Sequence, residues 1–355
     1  MTPQEPETDV AIVGAGPVGL FAAFELGMLR IRAVLIDALG EAGGQCTALY
    51  PEKPIYDIPA HPVIEAGELV ARLEAQIAPF RCPRLLGRRV ERLEGEAGAF
   101  TLITDQGDRV RCKAVVLAVG AGAFGPNRPP LGGLAAYEAT GAVRYYVRRR
   151  EDLRGRRVVI AGGGDSAVDW ALALRGIAAS IAVVHRRAKF RAAPESAAQL
   201  DRAAAAGEVA LVIPYQLHGL HGADGRLEAV EVADLDGGRR LLAADVLLPF
   251  FGLSSDLGPV AGWGLAMESR HVRIDPATCS TSRAGVFAIG DAASYPGKLK
   301  LILQGFSEAA MAAHAIHPIV FPDTALHFEY STTTGVPQGA PGALPLDPAK
   351  GREAL

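Results

Sequence analysis

The chain has 355 residues, of which 49% are apolar and 21% charged, a balance that excludes a disordered chain and, at this length, favours two modules that each bury a core. Its 36 basic and 39 acidic side chains leave a net charge of −3, so there is no global field to gather nucleic acid or an anionic membrane. Glycine, at 41 of 355 positions, clusters at a few places where a linker would spread it.

Residues 1–9 are acidic and proline-bearing, without the basic and then apolar order of a secretory signal, which predicts a cytoplasmic location. The apolar stretch over 18–36 is broken by Glu25, Arg30 and Arg32, so no membrane span is expected. Residues 9–13 read as a buried parallel strand, followed at once by a loop with Gly14, Gly16 and Gly19. A helix from Pro17 to about Leu29 and a second strand over 33–36 follow, and Asp37 closes a βαβ unit of dinucleotide-binding type. The three glycines serve different mechanical ends. Gly14 makes the tight turn, Gly16 lets backbone approach a pyrophosphate, and Gly19 permits close packing of helix on strand. The helix N-terminus then faces the phosphates, and Asp37 can accept hydrogen bonds from a ribose.

Alternating strands over 88–93, 100–105 and 109–111 form a meander, and an apolar strand over 114–120 ends this half. The same grammar then recurs. A strand over 157–161 leads into Gly162, Gly164, Asp165, Ser166 and Ala167, then a helix through Leu174 and a strand over 180–184. This time the second strand ends in His185, Arg186 and Arg187, with Arg191 just beyond. Guanidinium groups match a 2′-phosphate bidentately, so this module suits NADP(H) over NAD(H). Strands over 229–234 and 239–242 make a second meander, an apolar strand over 245–251 follows, and a third glycine site appears at Gly290 and Asp291.

The simplest topology is α/β with two Rossmann-like domains. Residues 122–249 are inserted into a module made of 1–121 and 250–321, and 322–355 form an extension. Cys46, Cys82, Cys112 and Cys279 lie far apart, so no short-spaced dithiol or metal pair exists.

Gly14 to Gly19 with Asp37, the Gly43-Gly44-Gln45 run, Gly162 to Ala167 and Gly290-Asp291 together resemble the two-dinucleotide flavoprotein superfamily. Residues 48–53, 164–170 and 330–333 resemble, more narrowly, its thioredoxin-reductase-like ferredoxin:NADP reductases. The resemblance implies FAD in the discontinuous domain and NADPH in the inserted one. The FAD site is then made by Gly14, Gly16, Pro17, Gly19, Asp37, Gly44, Gln45, Tyr50, Val90, Phe124, Gly290, Asp291, Ser331 and Thr332. NADPH falls to Gly162, Gly164, Asp165, Ser166, His185, Arg186, Arg187 and Arg191.

By the same likeness Asp291 bonds the ribityl chain, and a helix from about Leu299 or Lys300 points its N-terminus at the edge that becomes anionic on reduction. Tyr50 and, from the extension, Tyr330 cover the two faces of the ring. No metal is implied.

Thioredoxin reductases carry a CxxC before the NADP fingerprint, and the corresponding stretch here, residues 141–147, has no cysteine. Glutathione-reductase relatives place a second cysteine five residues after the first, and here Pro51 stands five residues after Cys46. Electrons must then leave directly from the flavin, which can divide a hydride's electron pair with no protein acid or base. The implied partner is a ferredoxin or flavodoxin. The arginine run over 147–157, with Lys298 and Lys300, is the candidate basic docking surface, segments 121–125 and 251–253 are candidate hinges, and the implied assembly is a homodimer. Two other readings stay open: an NADPH diaphorase or quinone reductase, which would turn over fully without an iron–sulfur carrier, and a weakly catalytic flavin-binding sensor, whose flavin would be reduced slowly under every acceptor.

Overall fold

Four residues, Val10–Val13, all buried, form the strand around which the first half of the chain assembles. In a parallel sheet covered on both faces no side chain points to water, which is why this strand reads as an unbroken apolar run and not as an alternation. A computed structural model describes residues 5–326, 332 and 335–337, and the side chains of residues 123, 124 and 253–255 lie outside the described set.

The chain divides into two compact units, Met1–Ala123 with Ser255–Leu355, and Phe124–Ser254. These limits lie a few residues beyond the 121/122 and 249/250 junctions expected from the sequence. The strands Ala123–Pro126 and Leu253–Asp256 pair with each other there and continue past the apolar runs that end each half.

Unit 1 carries a five-stranded parallel sheet in the order Val286–Ala288, Ala114–Leu117, Val10–Val13, Ala33–Asp37, Arg84–Leu86. The helices Pro17–Met28, Ala66–Ile77 and Ile302–Val320 belong to this unit. An antiparallel meander, Val90–Glu96, Ala99–Thr104 and Arg109–Cys112, completes its core, with Phe100 almost fully buried. Unit 2 repeats the plan with four parallel strands in the order Ala210–Val212, Ser180–Val184, Arg157–Ala161, Val246–Pro249. Its meander has three strands, Gln216–Ala223, Arg226–Ala233 and Arg239–Ala243. The first of these is absent from the sequence-based expectation, because its two glycines and exposed residues hide the period-2 pattern.

The closing helix Ile302–Val320 starts later than the expected Leu299 or Lys300. Leu301 is its N-cap in extended conformation, so Lys298, Leu299 and Lys300 belong to the preceding loop. Among the described residues no helix is long and apolar enough to cross a membrane.

Phe100 is 1% exposed, and the Arg283 guanidinium lies 5.4 Å from its ring centroid. Phe100→Ala is expected to lower the unfolding free energy by about 3–5 kcal/mol through lost transfer energy and a residual cavity. Urea denaturation of the purified protein checks this, and a loss under about 1 kcal/mol would show that the meander collapses around the gap.

Candidate functional site: two glycine turns at the ends of parallel strands

In unit 1 the site begins where the first strand stops. Gly14 has φ +111°, a conformation that L side chains rarely adopt, and a Cβ there would lie 2.2 Å from the Ala118 carbonyl oxygen. A Cβ on Gly19 would lie 1.9 Å from the Gly14 carbonyl oxygen. Helix Pro17–Met28 thus starts in backbone contact with the strand end, as close helix-on-strand packing requires. Gly16, its N-cap, is different: a Cβ would meet nothing within 4 Å. The loop is tight where it packs and open where a phosphate would approach the first N–H groups of the helix.

Asp37 ends the second strand. Its Oδ2 accepts from the Ala15 N–H at 2.6 Å and its Oδ1 from the Leu39 N–H at 2.8 Å. Burial raises its proton affinity, and these two N–H groups oppose the rise. Each carboxylate oxygen keeps a further lone pair for a ribose hydroxyl. The Gly43 N–H donates to the Ala15 carbonyl at 2.8 Å, and a Cβ on Gly44 would lie 3.2 Å from the Gly16 Cα. The Gly43-Gly44-Gln45 loop therefore borders the same opening, with Gln45 first in the short helix Gln45–Ala48.

Tyr50, half-buried, lies beyond that helix. Burial lifts its phenol well above the ordinary value, and the negative charge of Asp291 adds to the rise, which places Asp291 within electrostatic reach of the ring. Asp291 sits in the turn Gly290–Ala292 after strand Val286–Ala288, at the same end of the sheet.

Val90 is 5% exposed and part of the core of unit 1, so only its main chain can face a ligand. Thr332 is exposed. The side chain of Phe124, and Ser331 and Tyr330 altogether, lie outside the described residues.

Lys298 departs from its expected role. Its ammonium pairs with Glu308 of the closing helix, both side chains nearly buried, so it is no surface for docking. Within the arginine run, Arg154 pairs with Glu151 and Arg157 with Asp245, which leaves less free charge than the sequence suggests. Glu308, Tyr295 and Gln304 behind the Asp291 turn, and His271, which bonds Lys300 at 3.0 Å and feels the Asp291 charge, are invisible at the level of sequence. Nothing in their spacing marks them, because they meet only through the fold.

In unit 2 Gly164 is the N-cap of helix Asp165–Ala173, and again a Cβ would meet nothing within 4 Å. Ala167, in the place of a third glycine, is fully buried, and Ser166 is exposed. The basic loop is tied to this turn by two bonds: the Arg191 N–H donates to the Gly163 carbonyl at 2.7 Å, and the Ala193 N–H to the Asp165 carboxylate at 2.8 Å. Arg186, Arg187 and Arg191 are exposed, and among the described residues no carboxylate engages them.

His185 does not stand with them. Its ring is buried, stacked on Phe190 at 5.3 Å between centroids, and occupies the space where a Cβ on Gly163 would fall. It supports the turn from beneath, while the arginines stand outside it.

All four cysteines are free thiols. Burial pushes Cys46, Cys112 and Cys279 up to about 12 and Cys82 to about 11, so none is a thiolate near neutral pH. Among the described residues no group of His, Cys, Asp or Glu could hold a metal ion. What remains is two cradles with open second glycines, one bordered by a carboxylate and one by arginines. They fit a dinucleotide with free ribose hydroxyls and one with a 2′-phosphate, respectively.

Comparison with known proteins gives the family and the fold. A family described as pyridine nucleotide-disulphide oxidoreductase matches residues 8–315. The chain is 76% identical over 335 residues to a ferredoxin--NADP reductase of Granulibacter bethesdensis, covering 94% of this chain and 96% of that protein. It is 75% identical over 330 residues to a protein of the same name from Acidiphilium cryptum, covering 93% and 97%. Among solved structures, thioredoxin reductase from Lactococcus lactis superposes with a TM-score of 0.76 at 24% identity, covering 89% of this chain and 99% of that one, a likeness of fold.

Two outcomes follow from the site. Gly16→Ala is expected to fold normally, since its added methyl meets no atom, yet to weaken retention of a bound dinucleotide about tenfold or more by filling the phosphate approach. Thermal unfolding beside equilibrium dialysis separates the two effects. For His185, burial first and then Arg186, Arg187 and Arg191 lower its proton affinity below the ordinary 6.5, against a main-chain contribution from Lys189. The unfolded chain then binds the proton at higher pH than the native one, so unfolding free energy falls as pH drops below 6.5. Denaturation curves between about pH 7 and 5 should show that slope, and His185→Asn should flatten it.

Proposed function

Because the chain belongs to the pyridine nucleotide-disulphide oxidoreductase family, and within it to the ferredoxin–NADP reductases, we propose that it moves electrons between NADPH and a ferredoxin or flavodoxin through bound FAD, without a redox-active disulfide. The observation that carries this reading is the pair of open glycine turns with opposite neighbours, Asp37 beside one and three unengaged arginines beside the other.

FAD would be held in unit 1 by the Gly14–Gly19 turn, Pro17, Asp37, Gly44, Gln45, Gly290 and Asp291, with Tyr50 against the ring and Tyr330, Ser331 and Thr332 from the extension. NADPH would be held in unit 2 by Gly162, Gly164, Asp165 and Ser166, with Arg186, Arg187 and Arg191 on the 2′-phosphate. The flavin, when bound, supplies hydride acceptance and single-electron exit. The chain's own part is placement. The N-terminus of helix Pro17–Met28 offers N–H groups to phosphate, Asp37 orients a ribose, and the half-buried Tyr50 keeps water from one face of its pocket. No residue here has to move a proton for the hydride step.

Four unpaired cysteines, three of them buried and none a thiolate near neutral pH, support direct exit of electrons to a carrier protein. A homodimer in the cytoplasm is the assembly and location that go with this reading.

Anaerobic reduction of the purified protein should be fast with NADPH and slow with NADH, and added ferredoxin should carry electrons on to cytochrome c. Arg186→Ala with Arg187→Ala is expected to raise the NADPH KM about tenfold or more and leave the NADH KM unchanged, since each guanidinium–phosphate bond is worth roughly 1.5–3 kcal/mol. Replacing all four cysteines by serine should leave carrier-dependent turnover in the folded protein. Loss of that turnover, or full turnover with a quinone and none with ferredoxin or flavodoxin, would overturn the proposal.

A further inference from the structure

The turn that presents Asp291 is gripped from behind by a buried ionic cluster that the reaction does not itself use. Gly290 has φ +66°, and its N–H donates to Glu308 Oε2 at 2.7 Å. Glu308 Oε1 accepts from the Tyr295 hydroxyl at 2.7 Å and from the Lys298 ammonium. The Gln304 amide donates to the same Tyr295 oxygen at 2.9 Å. The Lys298 and Glu308 side chains are 7% and 2% exposed.

The closing helix reaches this turn because Gly305 carries no side chain. A Cβ there would lie 2.4 Å from Val18 Cγ2, in the first turn of helix Pro17–Met28, and 3.3 Å from the Gly290 Cα. Val18 thus touches both the Gly290 turn and the closing helix. Three elements meet outside the carboxyl ends of parallel strands, the crevice where an open α/β sheet takes its ligand.

A buried ion pair is weak evidence for stability, because desolvation offsets most of its attraction. Its presence directly behind a ligand crevice calls for another reason. Glu308 alone would place a full negative charge against the turn, and Lys298 alone a full positive one. Paired, they hold the Gly290 N–H by a charge-assisted bond and leave the crevice nearly neutral.

We propose that Glu308 and Lys298 act as a positioning pair that fixes the Gly290–Asp291 turn and balances the charge behind the flavin, so that each sets the flavin's reduction potential in the opposite sense. This rests on the reading of unit 1 as the FAD site. Reduction adds negative charge to the ring system, so an unpaired Lys298 would favour the reduced form and an unpaired Glu308 would oppose it.

The test is the midpoint potential of the bound flavin, measured by anaerobic titration against reference dyes in the intact holoprotein. Glu308→Gln should move it to more positive values, Lys298→Met to more negative ones, and the double variant should lie between the two. Shifts of the same sign, or none in either single variant, overturn the proposal, since general loosening of the fold would not reverse sign with the charge removed. Should a single variant fail to fold or to hold flavin, the double variant, which buries no unpaired charge, gives the reading. Its FAD dissociation constant should rise about tenfold with far-UV circular dichroism unchanged, because the Gly290 N–H then bonds a neutral amide. An unchanged constant overturns the positioning role. Failure of the underlying reading is seen separately and first, as wild-type protein that takes up no FAD.

Discussion

Everything at the site depends on how near one stretch of backbone comes to another at the carboxyl end of the first strand. Gly14 lies so close to the Ala118 carbonyl, and Gly19 so close to Gly14, that no side chain fits at either place. That contact brings the N-terminus of a helix down onto the end of a buried strand. The unsatisfied N–H groups of its first turn then point into the crevice, with no side chain between them and an incoming phosphate. Gly16, between the two, is open in the same turn. A larger residue at the packed positions would push helix from sheet and spoil the open one.

The chain buries charge at the border of this crevice and holds it with main-chain or ionic partners. Asp37 is desolvated and steadied by two N–H groups, a cost that hydrophobic packing would avoid. Glu308 is more buried still, and binds a backbone N–H, a phenol and an ammonium at once. Placement that survives without a bound ligand needs groups whose geometry is over-determined, and each of these carboxylates has more than one partner holding it.

The thiols show the converse. Cys46 lies near Tyr50, beside the Gly43-Gly44-Gln45 loop, yet burial lifts its pKa to about 12 and it has no partner cysteine. The same fold that serves disulfide chemistry elsewhere therefore offers none here among the described residues. Fold and chemistry are separable, and the site decides the chemistry.

The sequence by itself determined the two βαβ units, the glycine turns, the acid at the end of one second strand and the arginines after the other, and the insertion of one domain into the other. These are local patterns, in which periodicity and the conformational limits of glycine act over a few residues. It also showed that no short-spaced cysteine pair exists, since spacing alone answers that. What only the tertiary structure decided concerns residues that act through partners far along the chain. Lys298 looked like a surface lysine until the closing helix brought Glu308 against it. His185 read as one of four basic ribose readers, but the strand end turns its ring under Gly163 and leaves only the arginines outside. The start of the closing helix moved to Ile302 because Leu301 is extended. Burial and pairing depend on how elements pack, and packing joins positions that no short window of sequence contains.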